Sequence, residues 1–136
     1  MSIPGAMRRE IVRRAGNRCE YCQLSQAGQE AAFHIDHIDP VASGGSSEPE
    51  NLALACVSCS LRKGAKRTAL DHSSRTVAFL FHPRQQTWDD HFIWKNHRVR
   101  GITATGRATV DLLKMNRALA VAIRVEESLL GRHPPR

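Results

Sequence analysis

All four cysteines of the chain fall into two C-x-x-C pairs, Cys19 with Cys22 and Cys56 with Cys59. Such a turn offers two thiolates toward one point, and two turns complete the tetrahedral shell that zinc takes with sulfur at about 2.3 Å. In a reducing compartment these pairs hold metal more often than they form disulfides. A closed four-sulfur shell leaves no open position for substrate, so this zinc is expected to be structural rather than catalytic. Four buried free thiols, or a redox pair, are the alternative. The stretch between the pairs is longer than in an ordinary zinc ribbon, so a substantial insertion, FHIDHIDP and its loop, is clamped between them.

Within CEYC, FHIDHIDPVASGG, PENLALACVSC and SLRKG the chain resembles the HNH endonuclease family, closely over residues 19 to 64. The resemblance implies an α+β fold with a small ββα-metal core, in which a hairpin and a short helix hold one catalytic divalent ion. It also implies hydrolysis of DNA phosphodiester bonds, leaving a 5′-phosphate and a 3′-hydroxyl. By that resemblance His37 is the general base, Asp36 a metal ligand, and Asn51 the residue that braces the loop and helps hold the histidine ring.

The chemistry asks for the same parts. A water must be deprotonated in line with phosphorus, and a histidine with an ordinary pKa of about 6.5 can take that proton near neutral pH. The added charge on phosphate and leaving oxygen needs a cation, and a hard carboxylate such as Asp36 suits magnesium or manganese. Ideal strand alternation turns Asp36 and His37 to opposite faces, so the strand is expected to end or distort there. The alternative for the pair is a solvated strand end, and for Asn51 a plain turn residue.

One position departs from the family. Many members carry Asn or His just after the last cysteine as a second metal ligand, whereas this chain has Ser60, a weaker donor. Either Ser60 and water suffice or another histidine substitutes. His34, two residues before Asp36 on the same strand face, is the nearest, with a hydrogen-bonded surface histidine as its alternative. His82 and His91, near Trp88 in FHPRQQTWDDHF, are further candidates, or simply packed and hydrogen-bonded.

The elements that must position these residues are short. A basic helix over 6–15 carries Ile11 and Val12 and stops at Gly16 and Asn17. AAFHIDHI reads as a strand, SGGSSEPE as a loop, NLALAC as a buried strand or tight connection, and VSCSLRKGAKR as a short helix. Beyond residue 70, β-rich pieces surround Phe79, Phe81, Phe92, Trp94 and Val99. Two closing helices follow, capped by Thr105 and Asn116, the second carrying Leu119, Ile123, Leu129 and Leu130. The expected organisation is one domain over 1–136, with a nuclease core and its leading helix over 6–68 and an extension over 69–136.

Twenty Lys and Arg against thirteen Asp and Glu give a net charge of +7, which favours a polyanionic partner. Arg62, Lys63, Lys66 and Arg67 cluster at the end of the motif helix, where they could hold DNA phosphates, or serve only as a solvated helix end. Double-stranded DNA is the expected partner, although phosphate contacts do not distinguish it from RNA. No run of eighteen apolar residues and no secretory leader is evident, so the expectation is a soluble, cytoplasmic protein without a membrane partner. The rival to a nuclease is a noncatalytic, zinc-bearing nucleic-acid adaptor in which Ser60 marks a lost metal site.

Overall fold

The computed structural model describes residues 3–135 and divides into two compact units, Met1–Arg67 and Thr68–Arg136. Helices and small sheets are both present, so the chain is α+β as expected.

In the first unit, helix α1 (Gly5–Arg14) buries Ile11. Arg8 donates to the Phe33 carbonyl at 2.7 Å, and Arg14 donates to the carbonyls of Pro49 and Leu52 at 3.0 and 2.6 Å. Guanidinium forks thus satisfy carbonyls that no strand reaches, and they tie the helix to the strand behind it. Gly16 and Asn17 end the helix with φ of 63° and 57°, the stop that the sequence predicts.

Strands β1 (His34–His37) and β2 (Leu52–Ala55) pair antiparallel, with Asp36 opposite Ala53 and His37 opposite Leu52. All four residues of β2 are buried. Near the first cysteine pair, Glu20 N donates to the Leu54 carbonyl and Leu54 N donates to Glu20 Oε2, both at 2.8 Å. The buried strand therefore has partners beyond β1, as a strand cut off from water requires. Helix α2 (Val57–Lys63) follows at once and packs against both strands. Ile11, Leu24, Phe33, Ile38, Leu52 and Leu54 form the core, each contributing roughly 1.5–3 kcal/mol by leaving water.

The loop from β1 to β2 folds back on itself. A Cβ on Gly45 would lie 1.7 Å from the Asp39 carbonyl oxygen, so only glycine allows this approach.

In the second unit, β3 (Thr68–Asp71) pairs with β4 (Thr76–Phe79), and β5 (Phe92–Lys95) with β6 (Arg98–Gly101). Helix α3 (Ala104–Leu112) packs on β3, β4 and β6. Phe81 meets Phe92 edge-on at 5.2 Å in a core completed by Val99, Leu113 and Met115. The buried Asp71 carboxylate accepts two bonds from Arg107, both at 3.0 Å, and one from Ser74 Oγ at 2.6 Å, which pins the β3–β4 turn to α3.

Two expectations for the closing helices are corrected. Thr103, not Thr105, caps α3, its hydroxyl accepting from Gly106 N at 3.0 Å; Thr105 lies inside the helix. Asn116 does not cap α4 (Ala118–Leu129), because its amide bonds both the N–H and the carbonyl of Val99 at 2.7 Å. Leu119, Leu129 and Leu130 are exposed, and α4 turns Ala120, Arg124 and Glu127 inward. There Arg124 donates to the His97 carbonyl at 3.1 Å and lies over the Trp94 ring, while Glu127 pairs with Arg132.

Candidate functional site

The two cysteine turns meet. Residues 18–25 form a tight loop in which Cys19 N donates to the Leu24 carbonyl and Gln23, at φ 67°, turns the chain back. The Glu20 bonds to Leu54 set this loop beside the strand that leads to Cys56. All four Sγ atoms lie within 4.8 Å of one another, and Cys22 and Cys56 are separated by 3.7 Å. A tetrahedral zinc–thiolate centre has an edge of about 3.8 Å, so the donor set fits zinc. In each pair the second cysteine's N–H donates to the first cysteine's sulfur at 3.4 Å, the arrangement that stabilises a thiolate.

Burial pushes Cys19 well up, hydrogen bonds among the thiols push Cys59 well up, and those same bonds push Cys56 down. Four thiols packed this way cannot all ionise by themselves, and a bound dication is what would let them.

Tyr21, inside the first turn and fully buried, donates its hydroxyl to Asp36 Oδ2 at 2.8 Å. Lys63 Nζ lies 3.2 Å from the same oxygen and donates to the His37 carbonyl at 3.0 Å. Burial raises the Asp36 pKa, against the opposing pull of Lys63 and Tyr21. The sequence expectation for Lys63 is corrected here: it is buried, so it cannot be one of the DNA-facing cations. On α2 it follows Cys59 by four residues, and that helical spacing puts both on the inner face. Arg62, Lys66 and Arg67 are exposed, Arg67 pairing with Asp39 at 3.0 Å.

Alternation along β1 holds. His34 and Asp36 turn toward α2, where His34 Nδ1 lies 2.9 Å from Ser60 Oγ. His37 turns toward the loop, its Nε2 2.9 Å from Ser47 Oγ. The strand ends at His37, and a cleft of about 340 Å³ wraps that end, lined by Ile35, Asp36, His37, Pro40, Ser60 and Gly64. Opposite strand faces thus open onto a common space without any distortion of the strand.

The hydrogen bonds of the Asn51 side chain go to the loop and not to the histidine ring. That side chain accepts from Asp39 N at 2.8 Å and donates to the carbonyls of Asp39 and Ser46 at 3.0 and 2.7 Å. It braces the loop, and Ser47, the next residue, meets the ring. The sequence offered no signal for Ser47 beyond a hydroxyl in a Gly-Ser loop, whereas Tyr21 was marked by lying between two cysteines.

Residues 19–66 match the HNH endonuclease family. The matched HNH segment contains both cysteine pairs, His34, Asp36, His37, Asn51 and Ser60, and it lies within the first unit. Searches of curated proteins and of solved structures return no match.

In the second unit, His82 Nδ1 accepts from the N–H groups of Arg84 and Gln85 at 3.2 Å, and His91 Nδ1 lies 2.7 Å from Thr103 Oγ1. Both rings have local partners. Among the described residues, the four cysteines are the one group of three or more His, Cys, Asp or Glu side chains able to share an ion. The HNH cleft offers one carboxylate, Asp36, beside the His34–Ser60 pair. One carboxylate is a donor set compatible with magnesium, which commonly keeps water and substrate phosphate as its other ligands.

Proposed function

We propose that this chain is a metal-dependent endonuclease hydrolysing phosphodiester bonds of double-stranded DNA, with a structural zinc on Cys19, Cys22, Cys56 and Cys59. The observation that carries the reading is the cleft shared by Asp36, His37 and Ser60 within a segment matching the HNH family.

Each residue has a task. Ser47 holds His37 by Nε2, leaving Nδ1 to take the proton of the attacking water. Asn51 keeps the loop that carries Ser47 in place. Asp36, with Ser60 and His34, would hold magnesium or manganese. That ion would supply positive charge for the phosphate and for the departing 3′-oxygen, leaving a 5′-phosphate. Lys63 and Tyr21 fix the Asp36 carboxylate. Arg62, Lys66 and Arg67 hold backbone phosphates without reading bases. Among the described residues no helix is long and apolar enough to cross a membrane, and four free thiols suit a reducing compartment such as the cytoplasm.

Plasmid nicking with magnesium or manganese tests this. The parent should nick and His37→Ala should lose about 10²–10⁴-fold in rate, the range contributed by a general base. Binding to duplex without nicking under any divalent ion would favour the noncatalytic adaptor, and cleavage confined to RNA would reassign the substrate.

A further inference from the structure

The second unit carries a cleft of about 350 Å³ lined by Arg98, Arg107, Lys114 and Arg117, with Asp111 and Asn116 between them. Four cations and one carboxylate line it, the charge of Arg107 being matched already by the buried Asp71, and Asp111 lies 3.3 Å from His72 Nε2. Part of the wall is fixed. Arg107 is held through Nε and Nη2 by the buried Asp71, and Asn116 is bonded twice to Val99. Arg117 Nη1 is buried and has no hydrogen-bond partner. A buried donor left unpaired is costly, so this guanidinium has hydrogen-bonding capacity that the chain itself does not use.

The backbone adds to the same field. Arg117 is the N-cap of α4, no side chain caps that end, and no acidic residue lies in the first turn. The free N–H groups of a twelve-residue helix therefore sit at the residue that lines the cleft, a second source of positive potential.

We infer that this cleft binds a backbone phosphate of duplex DNA, giving the second unit a contact of its own outside the HNH segment. Guanidinium forks match the oxygens of a phosphate, and Arg98 and Arg117 supply them, the fork of Arg107 being taken by Asp71. The cleft is open at the surface, which lets a polymer lie across it, whereas small metabolites are usually enclosed. The inference deepens the nuclease reading by assigning DNA contacts beyond the motif helix.

The test uses the full chain carrying His37→Ala, with binding of a labelled random-sequence duplex followed by anisotropy across a salt series. Each phosphate contact contributes about 0.9 to the slope of log affinity against log salt. Lys114→Gln and Arg117→Gln together should lower that slope by about 1, while Arg117→Lys alone should keep it. Arg9→Gln, an exposed cation of α1 that does not line the cleft, is the control for charge alone. An equal fall in the control, or an unchanged slope in the paired variant, overturns the site. Inorganic phosphate is the other arm: if it shifts the Arg117 and Lys114 resonances while the duplex slope ignores both substitutions, the ligand is a free phosphate and the DNA assignment fails. Tryptophan fluorescence melts verify folding, both tryptophans lying in this unit. A reduced slope in a chain whose parent never nicks would sink the nuclease reading and leave the site standing; nicking with an unchanged slope would do the reverse.

Discussion

The hydroxyl of Tyr21 donates to Asp36 at 2.8 Å, joining the turn that presents two cysteines to the carboxylate proposed to hold the catalytic ion. The cysteine turn able to hold zinc is thereby tied to the candidate active site through a buried polar network, closed on its other side by Lys63. A loosened cysteine cluster has a short path to the chemistry.

Tyr21 is the chain's single tyrosine, so phenolate absorbance reports it alone. Burial, then the nearby Asp36 charge, pushes its pKa well above the ordinary 10.0. A raised pKa contributes stability that is complete below the unfolded value and is lost as pH rises through the folded one. In the zinc-loaded protein the phenolate should emerge only with unfolding, and after zinc is stripped it should titrate near 10.0. Ordinary titration in the loaded protein would contradict its burial.

Lys63→Met leaves the Asp36 carboxylate buried beside Tyr21 alone. Breaking a buried ion pair from one side typically costs about 3–5 kcal/mol, so chemical unfolding followed by circular dichroism should show a loss of that order. Pairing it with Asp36→Asn should recover part of the loss. A surface-like effect under 1 kcal/mol, the usual range for exposed pairs, would mean that the ammonium is solvated.

Ser47→Ala should lower kcat for cleavage about tenfold to a hundredfold with little change in KM, because the His37 ring loses its orienting partner while DNA contacts remain. Asn51→Ala should lower kcat and stability together, since three loop bonds go with it. Equal kinetics for Ser47→Ala and parent would show that the ring is held another way.

Asp71 is held well below the ordinary carboxylate range, first by its Arg107 bonds and then by Ser74 and the Ser73 N–H. A depressed pKa contributes stability that is present above the unfolded value and lost as pH falls through the folded one. Tryptophan fluorescence should show the second unit losing stability on acidification below about pH 4, the ordinary aspartate range, and Asp71→Asn should flatten that dependence.

Much of the first unit was legible in residue spacing. The C-x-x-C pairs, the helix stop at Gly16, a strand within AAFHIDHI and the apolar LALA segment are local signals, and the structure has these elements there. What escaped was nonlocal. Lys63 reads as one more cation in a basic run until the helix face it shares with Cys59 is known, and Ser47 gains meaning only when the loop folds back through Asn51. In α4 the leucine spacing marks the helix but not its inner face, where Arg124 meets a carbonyl and an indole ring while Leu119 and Leu129 lie outside. Cap positions slipped for a similar reason, with Asn116 drawn to the backbone of β6.

The central claim is a division of labour between a sulfur-bound ion that holds the fold and a separate hard cation that serves Asp36 and His37. Zinc content and plasmid nicking, measured together on protein dialysed free of magnesium and manganese, test it most directly. One zinc should be retained per chain with no nicking, and added magnesium or manganese should restore nicking in the parent but not in His37→Ala, with zinc unchanged. Nicking by the dialysed protein, or equal rates for the parent and His37→Ala, would contradict it.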